Sequence, residues 1–333
     1  MPFDVHSEND LNGKGAPPPP RPTIYTVAEL MALKVEVRTE LIEKILPSRG
    51  ASIIFGKQKS NKSLIAVQMA IAIATDQAFL ENFKVLRTGP VLLLVQDDTD
   101  GAASVQDILQ RSPVPTTGAP IYTVPEVPFG FGVEFIEWLE HEITDKKLVF
   151  VALDSYTKLR STRKSGIDIV KAEQDDLTEL DKLAKRTNSS ILIIHHDSKS
   201  AAGALDWSDH AAGTYAMGMA TENQIHMARF RELLEDAPER LMQVRGRHTG
   251  GVELVIRFRK ETLDQELILE GGGAPLYPEI CMLRQTFGKS AFSPKDYQEA
   301  TGSSRQTSTR HIARLVQADA LRKKGYGEYV LWP

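Results

Sequence analysis

The pattern of apolar and polar positions alternates short apolar runs with longer amphipathic segments. Runs of strand type include "SIIF", "VLLLV", "LVFVALD" and "ILIIHH", and helix-length stretches stand between them. From Ile24 to about Leu269 this alternation predicts a mostly parallel sheet with helices on both faces. Three later runs, "NQIHMARF", "RLMQVRGR" and "VELVIRF", are closely spaced and predict an antiparallel extension of that sheet. The sequence therefore predicts an α/β fold.

Both ends of the chain depart from this pattern. Residues 1–22 are polar and include most of "GAPPPPRP", which can form polyproline II but no core, so we predict a disordered proline-rich tail. This tail is either a plain linker or a ligand for a proline-binding partner. "EGGGAP", Glu270 to Pro275, predicts a flexible linker. We therefore expect a large domain over 23–269, a linker over 270–275 and a small domain over 276–333.

The small domain is predicted to be a winged helix, because a helical segment is followed by a second helix, a turn, a third helix and a β-hairpin. Ile312, Leu315 and Val316 form an apolar stripe of helical period, and "LRKKGYGEYVLW" predicts a hairpin with glycine in its turn. Residues 275–333 carry nine Lys/Arg and five Asp/Glu, whereas the whole chain has a net charge of −4. The C-terminal end is therefore the basic part of the chain.

A helix-turn-helix places base-facing residues near the start of its second helix. The candidate DNA contacts there and on the wing are Arg305, Gln306, Thr309, Arg310, Lys323 and Lys324. Protein docking is the alternative role of such a domain.

Composition excludes several classes of protein. No apolar run reaches the roughly eighteen residues of a membrane span, and the polar N-terminus has no signal-peptide pattern, so we expect no membrane association and a cytoplasmic location. The single cysteine, Cys281, cannot form an intramolecular disulfide or a cysteine-based zinc site. We expect it to be a buried thiol.

The stretch "FGKQKSNKSLIA", residues 55–66, has the spacing of a phosphate-binding loop, G-x-x-x-x-G-K-[ST]. Gly56, Lys62 and Ser63 match it, and Asn61 replaces the second glycine; with Ser60 these residues are the candidate nucleotide contacts. The loop must curl so that its backbone N–H groups face phosphate, so we predict a left-handed backbone at Asn61, which asparagine tolerates. A strand-type run precedes the loop and a helical run follows it. The alternative is a polar turn between these two elements.

Polar residues end the other predicted strands. Asp154 follows "LVFVAL" and is the candidate magnesium ligand, with helix capping as the alternative. Asp97 and Asp98 end "VLLLVQDD", where a carboxylate can orient the attacking water, although paired charges are also common in solvated loops. His195 and His196 end "ILIIHH" and can sense the γ-phosphate; a His-His-Asp metal cluster is the alternative.

The order of "LPSRGASIIFGKQKSNKS", "VLLLVQDD", "LVFVALDS", "ILIIHHDSKSAAGA" and "MQVRGRHTGGVELVIRF" resembles the RecA-like ATPases of the RepA type, the plasmid and phage hexameric replicative helicases related to DnaB. The resemblance covers about residues 24–270 and implies a RecA-like P-loop NTPase core that binds ATP with Mg²⁺ between subunits of a homo-oligomeric ring, a hexamer. The roles that it implies are phosphate and magnesium binding by Lys62 and Ser63, magnesium binding by Asp154, catalysis by Asp97, γ-phosphate sensing by His195 and His196, and a trans-acting Arg247 with Arg245 as its companion.

The chain departs from this family at three places. Asn61 replaces the loop glycine, Asp97 stands where the family usually has glutamate, and "HAAGTYAMG" lacks an arginine often found before Gly213 and Thr214. The first two changes imply slower ATP turnover without loss of binding.

Two predicted loops, residues 158–166 and 198–209, are candidates to face a central channel. Arg160, Arg163, Lys164 and Lys199 would then follow a phosphate backbone, whereas a solvated surface is the alternative. The leading hypothesis is a ring-forming ATPase of DNA replication, a helicase acting on single-stranded DNA, with double-stranded DNA and a replication protein as further candidate partners. The alternatives are a helicase-loading or regulatory ATPase, and a DNA-binding regulator whose nucleotide site works without turnover.

Overall fold

A computed structural model describes residues 23–33, 39–96, 101–160, 169–196, 220–230, 233–234, 236–247 and 251–331. The chain separates into two units, Met1–Val37 and Arg38–Pro333. In the first unit, helix α1 (Val27–Ala32) begins at a capping box in which Thr26 and Glu29 bond each other's backbone. The predicted tail, residues 1–22, lies outside the described residues.

The second unit contains, in its described part, a two-stranded hairpin and a nine-stranded sheet. The hairpin is formed by β1 (Glu40–Ile42) and β2 (Leu46–Pro47). The strands of the large sheet are, in chain order, β3 (Gly50–Gly56), β4 (Val91–Val95), β5 (Ile121–Val124), β6 (Phe150–Asp154), β7 (Ser190–His196), β8 (Asn223–Ala228), β9 (Glu239–Gly246), β10 (Val252–Arg259) and β11 (Asp264–Glu270).

The large sheet has the order β11-β10-β9-β8-β3-β7-β6-β4-β5. Six strands, from β5 to β8, run parallel, and β9, β10 and β11 extend them in antiparallel pairing. The prediction of a mostly parallel sheet with an antiparallel extension is confirmed. The sequence pattern assigns β8 to the extension, whereas β8 pairs in parallel with β3 and only its other edge is antiparallel.

Helices cover both faces of the sheet, as the alternating pattern predicts. They are α2 (Lys62–Thr75), α3 (Gly101–Arg111), α4 (Val133–Lys146), α5 (Tyr156–Leu159) and α6 (Ile169–Arg186). One apolar core lies between the sheet and α2 and α3, and a second lies between the opposite face and α4, α5 and α6. Because β3 lies near the middle of the sheet, all of its residues are buried. No helix in these described ranges is long and apolar enough to cross a membrane.

The C-terminal elements are a short 3-10 helix (Ala274–Leu276), α7 (Tyr277–Phe287), α8 (Pro294–Thr301), α9 (Arg305–Gln317) and the hairpin β12 (Leu321–Gly325) and β13 (Glu328–Leu331). Their core contains Ile312 and Leu315, with Val316 packed at its margin, which confirms the apolar stripe. Cys281 is half-buried rather than buried, because it lies at the margin of a small cluster that contains Tyr277.

The segment predicted to be a flexible linker is structured. Gly271 donates its backbone N–H to the carbonyl of Glu253 on β10, and Ala274 is fully buried against Val255 of the same strand and Tyr277 of α7. The glycines there permit a tight turn. The C-terminal helices therefore pack directly on β10 and belong to the same unit as the sheet.

Candidate active site

The loop between β3 and α2 is held against the neighbouring strand β8. A Cβ atom on Gly56 would lie 2.2 Å from the carbonyl oxygen of Met227, so only glycine fits at this position. Asn61 has φ 65° and ψ 28°, the left-handed conformation predicted for it, and Lys59 also has a positive φ of 60°. Two left-handed residues curl the loop tightly before α2 begins at Lys62.

Lys62 lies inside the curl of this loop. Its side chain is buried, and its Nζ donates to the carbonyls of Gly56 and Lys57, each at 2.9 Å, and to Ser60 Oγ at 3.4 Å. Ser60 Oγ in turn donates to the carbonyl of Lys57 at 2.8 Å. The loop thus places a positive charge at its centre, beside the first turn of α2, where the helix dipole also favours an anion.

Asp154 lies at the same end of the sheet as this loop. It is the last residue of β6, opposite Val95 on β4, and it is buried. Asp154 and Ser63 both line a cavity of about 300 Å³ beside the loop, together with Ser104 of α3. A carboxylate and a hydroxyl on one cavity are hard oxygen donors of the kind that Mg²⁺ prefers, so these residues fit a magnesium ion.

His195 and His196 lie at the carboxyl end of β7, between the loop strand and the aspartate strand. His195 pairs in register with Phe55, and His196 pairs with Gly56. The ring of His195 lies 6.4 Å from that of Tyr156, whose hydroxyl donates to Asp176 on α6. The loop, the histidines and Asp154 therefore meet on three adjacent strands, β3, β7 and β6.

The two predicted arginines lie away from this meeting point. Arg245 is opposite Gln224 in the β8–β9 pair, and Arg247 donates its backbone N–H to the carbonyl of Glu222 at 3.0 Å. Strand β9 is two strands away from β3, roughly 10 Å at normal strand spacing. Within one chain, both arginines thus belong to the far side of β8.

The predicted nucleic-acid residues are dispersed. Arg160, which follows α5, forms an ion pair with Glu173 of α6. Four residues on α9 and two on β12 have exposed side chains: Arg305, Gln306, Thr309, Arg310, Lys323 and Lys324. The remaining predicted site residues, which lie outside the described residues, are Asp97, Arg163, Lys164 and Lys199.

Several features of the site are not evident in the sequence. The carbonyl of Met227 touches Gly56 only because β8 lies beside β3, and no sequence motif encodes that neighbour. Ser104 lines the cavity through the position of α3, and the amphipathic pattern of that helix is the signal that could have suggested it.

Comparison with known proteins agrees with this geometry. A family model for AAA domains, AAA_25, matches residues 16–202, more than half of the chain. The chain belongs to the AAA_25 family. No curated protein matches it significantly. As a member of AAA_25 with this sheet, it is a RecA-like, nucleotide-binding ATPase.

Solved structures share the fold of this AAA_25 protein. The ATPase domain of a helicase matches with a TM-score of 0.52 and 11% identity, covering 66% of this chain and 85% of the other. The RadB recombinase matches with a TM-score of 0.48 and 13% identity, covering 68% of this chain and 92% of the other. At such low identity, the helicase match supports the fold alone.

Proposed function

We propose that this AAA_25 protein hydrolyses ATP with Mg²⁺ as a ring-forming, RepA-like hexameric helicase that acts on single-stranded DNA. One observation carries the ATPase part of the proposal. The phosphate loop, the two histidines and Asp154 lie at the carboxyl ends of three adjacent parallel strands. In open α/β sheets, ligands bind at this edge.

The side chains divide the work by charge. The Lys62 ammonium binds phosphate oxygens, and Ser63 with Asp154 holds magnesium, which neutralises charge on the phosphates when it is bound. His195 and His196 sense the γ-phosphate from the strand between them. Asp97 supplies the carboxylate that orients the attacking water.

A ring explains the position of Arg245 and Arg247. Both lie two strands away from the loop strand, so we propose that they serve the nucleotide of a neighbouring subunit rather than that of their own chain. Arginine suits this task because its fork of donors meets the phosphate charge that develops during transfer. Arg160, Arg163, Lys164 and Lys199 would face single-stranded DNA in the channel.

The C-terminal elements support a second DNA contact. We propose that they form a winged helix over 276–333, with α9 as the recognition helix and the β12–β13 hairpin as the wing. Arg305, Gln306, Thr309 and Arg310 share the exposed face of α9, opposite the buried Ile312. Lys323 and Lys324 place two further positive charges on the wing.

Steady-state ATP hydrolysis, measured with and without single-stranded DNA on samples of known mass, tests this proposal. DNA-stimulated hydrolysis with strand separation by a hexamer supports it. Hydrolysis that needs a protein partner, without strand separation, indicates a loader or regulatory ATPase. Nucleotide binding without hydrolysis indicates a DNA-binding regulator.

The first prediction concerns the loop lysine. Lys62→Ala removes the ammonium at the centre of the loop and should lower kcat by about 100-fold or more, the scale for losing one preorganised charge-stabilising group. Asp154→Asn should abolish the magnesium-dependent rate. Lys84→Ala, which removes an exposed lysine elsewhere, is the control. Hydrolysis by Lys62→Ala at the wild-type rate contradicts the phosphate-loop assignment.

A further inference from the structure

A row of side chains crosses one face of the sheet from β7 to β10. The strand registers place Phe55 beside both His195 and His226, His226 opposite Gln243, and Gln243 opposite Glu253. Each of the strands β7, β3, β8, β9 and β10 contributes one of these residues. The row therefore runs from the phosphate-loop strand to the strand that carries the C-terminal helices.

Glu253 joins this row to α9. Arg314 Nη2 donates to Glu253 Oε2 at 3.0 Å, and Arg314 Nε donates to the carbonyl of Gly272 at 2.7 Å. The other carboxylate oxygen, Glu253 Oε1, accepts from Gln243 Nε2 at 2.9 Å. One carboxylate thus contacts the C-terminal helix with one oxygen and the sheet interior with the other.

This carboxylate fixes the direction of the next hydrogen bond. Because the Gln243 nitrogen donates to Glu253, its oxygen faces Nδ1 of His226, at 3.4 Å, so that ring nitrogen carries the hydrogen. Gln243 and His226 are only 7% and 8% exposed, so water competes little for these bonds. The tautomer of His226 therefore depends on Glu253.

His226 reaches the phosphate loop through two contacts. Its ring centroid lies 5.1 Å from that of Phe55, the residue directly before Gly56. The next residue on β8, Met227, presents the carbonyl that leaves no room for a Cβ atom on Gly56. Since packed interiors transmit small shifts, a movement of β8 is felt at the start of the loop.

We propose that Arg314, Glu253, Gln243 and His226 are positioning residues that transmit nucleic-acid binding at α9 to the phosphate loop. This rests on the proposed function, because it assumes ATP hydrolysis and a nucleic-acid contact through α9. Arg314 lies on the same helix as Arg305 and Arg310, so a shift of that helix on DNA acts directly on the Glu253 carboxylate. An apolar row of similar volume would stabilise the sheet at least as well, which favours a role beyond stability.

Arg314→Gln and Glu253→Gln test the relay with little risk to folding, because the Arg314 side chain is 42% exposed and glutamine keeps an acceptor for Gln243. In each variant, kcat stimulated by a single-stranded or duplex oligonucleotide should fall about threefold to tenfold, the range of typical coupling energies. The KM for ATP, the unstimulated kcat and the affinity for the oligonucleotide should stay within about twofold of wild type. A purely structural role would change melting temperature without this split.

Two matched controls remove similar groups outside the row. Arg284→Gln removes an exposed arginine from α7, and Glu270→Gln breaks the exposed ion pair with Lys44. Both should leave stimulation at the wild-type level. At His226, asparagine keeps a donor near the position of Nδ1 and should retain part of the stimulation, whereas leucine should not.

A charge exchange separates the relay from a simple ion pair. Glu253→Arg combined with Arg314→Glu restores opposite charges but presents donors to Gln243, which turns its amide round and removes the acceptor from His226. Thermal stability should recover, and stimulation should not. Recovery of both would overturn the directional relay.

Hydrogen exchange in the peptide covering residues 52–61 gives a readout that needs no turnover. Exchange there should be faster in Arg314→Gln and Glu253→Gln, and unchanged in Arg284→Gln. Wild-type exchange in all variants would overturn the relay even if ATP is hydrolysed. A wild-type protein that hydrolyses no ATP would overturn the proposed function, and the exchange data would then decide the relay independently.

Discussion

At the scale of single residues, the phosphate loop depends on conformations that its own chemistry only partly specifies. The left-handed backbone of Asn61 follows from the requirement of a curled loop, and asparagine tolerates that conformation. The left-handed backbone of Lys59 was not predictable, because lysine has no side-chain preference for it. The close approach of Met227 to Gly56 depends on which strand lies beside β3, and residue identity does not encode that neighbour.

A prediction follows for Asn61. Asn61→Gly should preserve or raise nucleotide affinity, because glycine adopts the left-handed conformation without steric cost. Asn61→Val should weaken affinity by about tenfold, since a β-branched residue is strained there by roughly 1–2 kcal/mol. Fluorescent ATP titrations, with melting temperatures as a folding control, measure both effects. Equal affinities for the valine variant and wild type would contradict this account.

At the scale of elements, apolar runs were reliable where strands are buried on both faces. Strands β4 and β6 are buried at every residue, and their sequences predict them directly. Strand β5 has two exposed and two half-buried residues at the edge of the sheet, so its sequence carries no clear signal. The turn at 271–273 resembles a linker in sequence because glycines suit both a tight turn and a flexible segment; only the packing of Ala274 distinguishes the two.

The start of α8 supplies a prediction at this scale. Ser293 accepts the N–H of Asp296, and Asp296 accepts the N–H of Ser293, which forms a capping box. Ser293→Ala should lower the free energy of unfolding of the C-terminal elements by about 1 kcal/mol. Thermal or urea unfolding measures this loss, and Ser290→Ala, which removes an exposed hydroxyl from the same loop, is the control. Equal losses in both variants would mean that the cap contributes nothing.

The same capping box gives a pH dependence. The backbone N–H and the side chain of Ser293 lower the pKa of Asp296 below its usual value. A carboxyl with a lowered folded-state pKa stabilises the fold above its unfolded pKa, about 3.9, and the contribution is lost as pH falls through the lower value. Acid should therefore loosen α8, and Asp296→Asn should remove this part of the pH dependence in unfolding curves.

At the scale of the whole molecule, the sheet separates the loop from the arginines. The loop strand, β3, lies near the centre, whereas Arg245 lies on β9 in the antiparallel half and Arg247 follows that strand. The sequence predicted both halves of the sheet, since each has its own apolar pattern. It could not give the order of the strands, because pairing between distant segments such as β3 and β8 leaves no local signal.

This separation predicts a shared active site. Arg247→Ala should lower kcat by roughly 10³- to 10⁵-fold if the arginine stabilises transition-state charge in a neighbouring subunit. Nucleotide binding and monomer stability should change little. Mixing Arg247→Ala with Lys62→Ala should restore some activity, because a mixed interface combines an intact loop with an intact arginine. Background activity in every mixture, with subunit exchange verified by mass, would contradict the shared site.

The burial of Lys62 also determines how the loop reacts with chemical reagents. Lys57 and Lys59 are exposed on the outside of the loop, whereas the Lys62 amine is enclosed by two carbonyls. Acylating reagents attack only neutral, accessible amines, so they should modify Lys57 and Lys59 first and Lys62 only when the loop opens. The acylation rate of Lys62, followed by mass spectrometry, is therefore a clock for the opening of the loop, and it runs without nucleotide.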